Sequence, residues 1–125
     1  LCFPHLKKSK GSVINISSIE GITPGHGLGL YSISKSALIQ LTKVLAQEWG
    51  NKGIRANTIC PGLVKTKFSE ALTSNEDSLK HVLAKQALPQ VAEPIDIAGL
   101  ALFLASDASS FCTGQEFTAD GGYTI

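Results

Sequence analysis

The chain has 125 residues, 43% of them apolar, so its composition is that of one modest domain with a packed core. Eleven basic residues against ten acidic ones leave a formal net charge of +1, which argues against the large basic surface that nucleic-acid binding needs. No apolar run reaches transmembrane length and no secretory signal opens the chain, so no membrane partner is expected.

The cysteines are far apart and lack CxxC spacing; they are Cys2, Cys60 and Cys112. This usage predicts reduced thiols in a cytoplasmic protein rather than a disulfide framework. The three histidines show no zinc-ligand spacing, so no metal site is predicted.

The first half of the chain predicts a strand, a loop and a long helix. Residues 1–10 are consistent with the end of a helix, and residues 12–16 are rich in β-branched residues and predict a buried strand. Residues 18–29 are rich in glycine and predict a loop, and a helix is predicted over residues 30–49, ending at the turn 50–53. Its apolar face consists of Ile33, Ala37, Leu38, Leu41, Val44, Leu45 and Trp49.

The second half begins with another strand, predicted over residues 54–59 and broken by Pro61-Gly62. Residues 67–89 are predicted to be helical but irregular. Pro94 marks the start of a helix over residues 95–105.

The last elements are a loop over residues 107–114 and a short strand over residues 116–118. Strands that alternate with helices in this way predict an α/β fold with parallel strands, right-handed crossovers and helices on both faces of the sheet. Ligands in such sheets bind beyond the carboxyl ends of the strands. Ser18 follows the first strand and Pro61-Gly62 the second, so both are expected at this edge, beside the start of the Tyr31 helix.

Tyr31 and Lys35 stand four residues apart on the predicted long helix, which places them on one face. A cation beside a phenol stabilises its anionic form and helps it to exchange protons at working pH. Reversible oxidation of an alcohol needs such a group. Taken singly, each residue is more often structural, the tyrosine at a packing boundary and the lysine as a solvated charge.

Five motifs in order give the chain a specific family resemblance. They are Gly11-Ser12-Val13-Ile14-Asn15-Ile16-Ser17-Ser18, Tyr31-x-x-x-Lys35, Ile54-Arg55-Ala56-Asn57, Pro61-Gly62-Leu63-Val64-Lys65-Thr66, and Thr113-Gly114 with Asp120-Gly121-Gly122. Together they resemble the C-terminal half of a tetrameric, NAD(P)-dependent short-chain dehydrogenase/reductase. The resemblance covers nearly the whole chain and implies the C-terminal part of a Rossmann-type doubly wound parallel sheet.

The resemblance implies a catalytic set of Ser18, Tyr31 and Lys35. Tyr31 would give a proton to a carbonyl oxygen as hydride arrives from the nicotinamide, or remove it in the reverse reaction. Lys35 would hold the nicotinamide ribose hydroxyls, and Ser18 would orient the substrate oxygen. Ser17 is expected to be a strand-end or packing residue and Asn15 a structural one.

The resemblance also implies that NAD or NADP is held by Tyr31 and Lys35 and by the segment after the second strand, namely Pro61, Gly62, Val64 and Thr66. Proline would turn the chain and glycine would let the backbone approach a ligand closely. The Val64 backbone would contact the nicotinamide carboxamide, and Thr66 the carboxamide or a phosphate. The alternative is an ordinary strand-ending turn with Thr66 as a helix N-cap.

Two further segments have weaker signals. Residues 25–30 are rich in glycine but do not fit GxGxxG, so a flexible substrate-side loop is predicted, with His26 and Leu28 more often exposed than lining a pocket. Residues 67–89 correspond to the family's variable substrate lid. The apolar side chains there suit a hydrophobic ketone or secondary alcohol, with helix packing as the alternative; they are Phe68, Leu72, Leu79, Val82 and Leu83. The chain resembles both the carbonyl reductases and the 3-oxoacyl-carrier-protein reductases of this family.

The chain as a whole is predicted to be one C-terminal half-domain, with a catalytic segment 11–66, a substrate lid about 67–89 and an assembly segment about 94–125. The family's glycine-rich cofactor turn is absent from these residues, and the chain starts at Leu1 without a methionine. A fragment, a proteolytic product and a chain whose upstream half is omitted from this sequence are the explanations that stay open.

Two functions stay open at this point. The first is an oxidoreductase completed by that upstream half. The second is a catalytically incompetent remnant that acts as an oligomerisation or interaction module. A homo-oligomer is expected in either case, because the family uses the Tyr31 helix, the Pro94 helix and the last strand as subunit contacts.

Overall fold

The computed structural model describes residues 1–125, apart from the side chains of Ala71 and Leu72. The prediction for the Leu72 side chain therefore lies outside the described residues. The strands are β1 (Ser12–Ile16), β2 (Arg55–Pro61) and β3 (Glu116–Ala119). The α-helices are α1 (Phe3–Ser9), α2 (Gly29–Trp49), α3 (Glu70–Thr73), α4 (Glu76–Leu83) and α5 (Pro94–Ala105).

The three strands form a parallel sheet in the order β1-β2-β3. Ser12 pairs with Arg55 at one end of the first ladder, and Ile16 pairs with Ile59 at the other. The middle strand is the core of the fold, since every residue from Ala56 to Cys60 is fully buried. A strand buried on both faces in this way is typical of parallel sheets covered on both sides.

Helix α2 packs on one face of the sheet through buried hydroxyl groups. Thr42 Oγ1 accepts hydrogen bonds from Asn15 Nδ2 (2.8 Å) and Thr58 Oγ1 (2.7 Å), and donates to the Leu38 carbonyl (2.9 Å). Asn15 and Thr58 are paired neighbours in the β1–β2 ladder, so they point to the same face. Asn15 has the structural role that its position in the strand predicted.

Helix α5 covers the opposite face. Ser12 Oγ donates to the Leu104 carbonyl (2.8 Å), and the Arg55 guanidinium donates to Ser109 Oγ (2.9 Å) and the Ser106 carbonyl (3.1 Å). Ser12 and Arg55 have the opposite parity to the residues that face α2. The predicted α/β fold with parallel strands and helices on both faces is therefore confirmed.

The predicted break at Pro61-Gly62 comes too early. Strand β2 begins at Arg55 and continues through Pro61, which pairs with Ala119 of β3. The amide groups of Thr58 and Gly62 donate toward β3, so the amide position of residue 61 faces β1. Strand β1 ends at Ile16, which pairs with Ile59, so β1 has no paired residue opposite Pro61. The N–H that proline lacks therefore leaves no hydrogen bond of the ladder unmade.

The helix boundaries follow local capping signals. Helix α2 starts one residue before its predicted start, and α5 starts at Pro94 behind a capping box between Glu93 and Asp96. The predicted irregular helical segment 67–89 contains the short helices α3 and α4, the second capped by Asn75 Oδ1 on the Ser78 amide (2.8 Å). Among the described residues no helix is long and apolar enough to cross a membrane.

Candidate active site

The end of β1 holds two buried serines with different partners. Ser17 Oγ donates to the Lys35 carbonyl (2.8 Å) and so ties the strand to α2, in agreement with the packing role predicted for it. Ser18 Oγ accepts a hydrogen bond from the Glu20 amide (3.2 Å) and caps a short 3-10 turn over Ile19–Gly21. A hydroxyl that accepts in this way keeps its own hydrogen for another acceptor.

Tyr31 and Lys35 lie in the first turns of α2, one turn apart on the same face. The Lys35 Nζ donates to the Ile16 carbonyl (3.2 Å) and lies 5.5 Å from the centroid of the Tyr31 ring, within the range of a cation–π contact. Lys35 therefore joins the helix to the carboxyl end of β1, two residues before Ser18. Both side chains are half-buried.

The carboxyl end of β2 is closely packed against the chain that follows β3. A Cβ added to Gly62 would lie 2.8 Å from Asp120 Cα, so glycine is required here by the protein's own backbone. Asp120 occupies the side to which a Cβ would point, which gives Gly62 a structural reason to be glycine. The approach of its backbone to a ligand stays a prediction.

The Asp120 carboxylate organises the turn that presses on Gly62. It accepts hydrogen bonds from the Gly122 amide (2.9 Å), the Thr124 amide (2.9 Å) and Thr124 Oγ1 (2.7 Å). Partial burial raises the pKa of Asp120, but these hydrogen bonds lower it more, and the net pKa lies below its usual value.

Val64 and Thr66 lie in a turn that closes on Ser69. Ser69 Oγ donates to the Val64 carbonyl (2.6 Å) and accepts from the Thr66 amide (3.0 Å), and the Ser69 amide donates to Thr66 Oγ1 (3.3 Å). The alternative of Thr66 as a helix N-cap is wrong, since α3 begins at Glu70 with Ser69 at the N-cap position. Thr66 caps the separate turn that precedes this helix.

Phe68 belongs to the same turn and contacts the candidate catalytic tyrosine. The Phe68 and Tyr31 ring centroids are 5.6 Å apart and the rings are tilted by 30°. The sequence predicts an apolar lid that contains Phe68 but not this contact, because nothing in the linear pattern shows which element the lid faces.

Glu20 is a residue that sequence analysis missed. Its carboxylate accepts hydrogen bonds from the Gly25 amide and from Ser32 Oγ (3.2 Å), so it ties the glycine-rich loop to the start of α2. His26 and Leu28 in that loop are exposed, in agreement with the prediction that they do not line a pocket. The sequence feature that could have pointed to Glu20 is its position, since it is an acidic residue two positions after Ser18.

Two observations limit the chemistry of the surroundings. Burial raises the pKa of the Cys60 thiol to about 11, helped by the nearby Glu116 carboxylate, so Cys60 is no nucleophile near neutral pH. Among the described residues no group of three histidine, cysteine, aspartate or glutamate side chains is placed to hold a metal ion.

The chain matches known proteins along its whole length. The family model described as enoyl-(acyl carrier protein) reductase matches residues 1–124. A tropinone reductase homologue of Arabidopsis thaliana is 40% identical over 126 residues, which cover 100% of this chain and 41% of the relative. A 3-alpha-(or 20-beta)-hydroxysteroid dehydrogenase of Mycobacterium bovis is 42% identical over 119 residues, covering 95% of this chain and 43% of the relative.

Solved structures agree with these relatives. A 4-hydroxyisoleucine dehydrogenase complexed with NADH superposes with a TM-score of 0.91 at 36% identity, over 98% of this chain and 51% of that one. A short-chain type dehydrogenase/reductase from Mycobacterium ulcerans gives a TM-score of 0.92 at 35% identity, over 97% and 44%. The chain thus spans about half the length of the proteins it matches. On its sequence, its fold and these matches, the chain belongs to the short-chain dehydrogenase/reductase family.

Proposed function

We propose that this chain carries the proton-transfer half of an NAD(P)-dependent oxidoreductase that interconverts a ketone and a secondary alcohol. One observation carries the proposal: Lys35 lies beside the Tyr31 ring and is anchored to the carboxyl end of β1, where Ser18 follows. This is the edge at which parallel α/β sheets bind their ligands.

The roles proposed for the three side chains follow from their contacts. Tyr31 donates its phenolic proton to the carbonyl oxygen, or accepts the alcohol proton in the reverse direction. The Lys35 ammonium stabilises the phenolate that Tyr31 leaves behind. Ser18 already accepts from the Glu20 amide, so its hydroxyl hydrogen is directed to the substrate oxygen.

The residues fit a nicotinamide cofactor, NAD or NADP. The Lys35 ammonium has three N–H donors, and among the described residues one hydrogen bond is recorded for it, to Ile16; the other donors suit the hydroxyls of a ribose. Pro61, Gly62, Val64 and Thr66 follow β2 at the same sheet edge and are proposed to line the nicotinamide end. The bound cofactor supplies or accepts the hydride. A similar solved dehydrogenase contains NADH.

The substrate type within this class is part of the proposal. Both a carbonyl-reductase-like and a 3-oxoacyl-carrier-protein-reductase-like substrate present a ketone to the same tyrosine. Names of the relatives range from tropinone reductase homologues to hydroxysteroid dehydrogenases, all of which involve a carbonyl or an alcohol.

The decisive test replaces Tyr31 in the full-length protein. Tyr31→Phe removes only the phenolic hydroxyl group, and with it the exchangeable proton, so we expect NAD(P)H-dependent ketone reduction to fall by about 10²- to 10⁴-fold. Tyr123→Phe is the matched control and should keep the activity, because Tyr123 lies in the turn after β3 and stacks with Lys85. Unchanged turnover in Tyr31→Phe, with the folded state intact by circular dichroism, would refute the mechanism.

We also propose that the protein is a homo-oligomer that uses the outer face of α2. Large apolar side chains recur there at spacings of three and eight residues, which keep them on one helix face, and they are exposed; they are Leu30, Ile33, Leu41 and Val44. A contiguous apolar stripe of this kind marks an interaction surface. Sedimentation of the full-length protein at the mass of a monomer would contradict this assembly.

The three free thiols favour a reducing, cytoplasmic compartment.

A further inference from the structure

We infer that Phe68 is a specificity-determining residue, an aromatic wall beside Tyr31 that selects ketones with an apolar substituent on the carbonyl carbon. The inference rests on the proposed function, because it takes Tyr31 to be the residue next to the reacting carbonyl.

The first support is the ring contact. At 5.6 Å between centroids, Phe68 and Tyr31 are at the distance of a packed aromatic pair. Yet Phe68 keeps 80% of its surface exposed. Most of the ring therefore stands uncovered directly beside the proposed acid/base, where a substrate substituent would lie.

The second support is that the position of Phe68 is fixed by the chain around it. The turn 66–69 is closed by the hydrogen bonds of Ser69 to Val64 and Thr66. The base of this turn is joined to Ala92, whose carbonyl accepts from the Lys65 amide (2.8 Å) and whose amide donates to the Leu63 carbonyl (3.1 Å). A surface held in place before binding loses little conformational freedom when a ligand covers it.

The chemistry of the ring sets the direction of selection. A phenyl group has no hydrogen-bonding atom, so an apolar substituent gains by covering it. A hydroxyl placed against the same surface would be taken from water without a partner. Discrimination of this kind between an apolar and a polar substituent typically amounts to one or two orders of magnitude.

The test uses two methyl ketones that differ in their far end, 4-phenylbutan-2-one and 4-hydroxybutan-2-one, with the full-length protein and its reduced cofactor. For Phe68→Ala we expect kcat/KM to fall about tenfold with the phenyl ketone and to stay unchanged with the hydroxy ketone. Phe68→Leu should retain most of the preference. Phe111→Ala is the matched control, since Phe111 is fully exposed and lies after α5, outside the turn that contacts Tyr31.

An equal change with both ketones, or no change with either, would overturn the role of Phe68 while leaving the proposed function in place. If the wild-type protein reduces neither ketone, the proposed function is the part that fails. Calorimetric binding of 4-phenylbutan-2-one then decides the role of Phe68. An affinity about tenfold lower in Phe68→Ala than in Phe111→Ala supports the apolar wall, and equal affinities refute it.

Discussion

Two regions of the molecule differ in how they are anchored. One is helix α2 together with the sheet, and the other is the segment 64–92. In the first, buried hydroxyl and amide groups join the layers, with Thr42 bound to both Asn15 and Thr58. The segment 64–92 is joined at its base by the bridge between Val64 and Ala92 and by the exposed Lys65–Glu93 ion pair (3.3 Å). Near its end, the Leu88 amide donates to the Gly121 carbonyl (2.8 Å), so the part without such anchors is residues 66–84.

This difference separates two tasks in one small fold. Tyr31 and Lys35 lie on the helix with the buried anchors, so the geometry proposed for proton transfer is fixed by the core. Phe68 lies at the start of the segment 64–92. The proposed substrate-facing surface can therefore vary in that segment while the arrangement of Tyr31 and Lys35 is preserved.

The largest expected effect is at the end of β2. Gly62→Ala would place a methyl group 2.8 Å from Asp120 Cα, and because the neighbour is backbone we expect a loss of about 3 kcal/mol in the free energy of unfolding. Gly99→Ala in α5 is the control: its added methyl meets nothing within 4 Å and should stabilise the helix by about 0.5–1 kcal/mol. Urea unfolding measures both. Similar values for the two variants would show that the packing at Gly62 is not rigid.

A smaller loss is expected at the buried hydroxyl network. Thr42→Val leaves the Asn15 amide and the Thr58 hydroxyl without their acceptor, at a cost of about 2 kcal/mol in unfolding free energy. Adding Thr58→Val removes one of the two orphaned groups, so the double variant should lose less than the sum of the singles. Simple additivity of the two losses in urea unfolding would contradict a shared network.

The smallest change in stability is expected at the base of the 64–92 segment. Lys65→Gln breaks an exposed ion pair and should alter the free energy of unfolding by less than about 0.5 kcal/mol. Amide hydrogen exchange should nevertheless increase in residues 66–84 and not in β1 or β2, because only the base of the segment is loosened. Lys80→Gln, which breaks the exposed pair with Glu76 inside α4, is the matched control. Equal increases in the strands would show that the two regions are not independent.

Local signals were sufficient for much of the fold. The β-branched run of β1 gave its bounds, and Pro94 gave the start of α5, because these choices are made within a few residues. The i, i+4 spacing likewise predicted that Tyr31 and Lys35 lie together.

The errors and omissions arose from partners far away in the chain. Pro61 stays in β2 because Ala119 pairs with it, and Gly62 is required because Asp120 lies against it. The contact of Phe68 with Tyr31 likewise depends on how a turn after β2 is oriented toward α2. No periodicity in the sequence encodes such distances.

The bridge between Val64 and Ala92 has a consequence for how such a protein can change over evolution. Since the two ends of the intervening chain are already brought together, its length can grow with only a slow entropic cost, about 0.6 kcal/mol for each doubling. Residues 66–84, which precede the contacts of residues 85–88 with the turn after β3, can therefore be exchanged or lengthened without disturbing the sheet. A change in the proposed substrate range would then need replacement of one short stretch of the gene rather than a redesign of the whole fold.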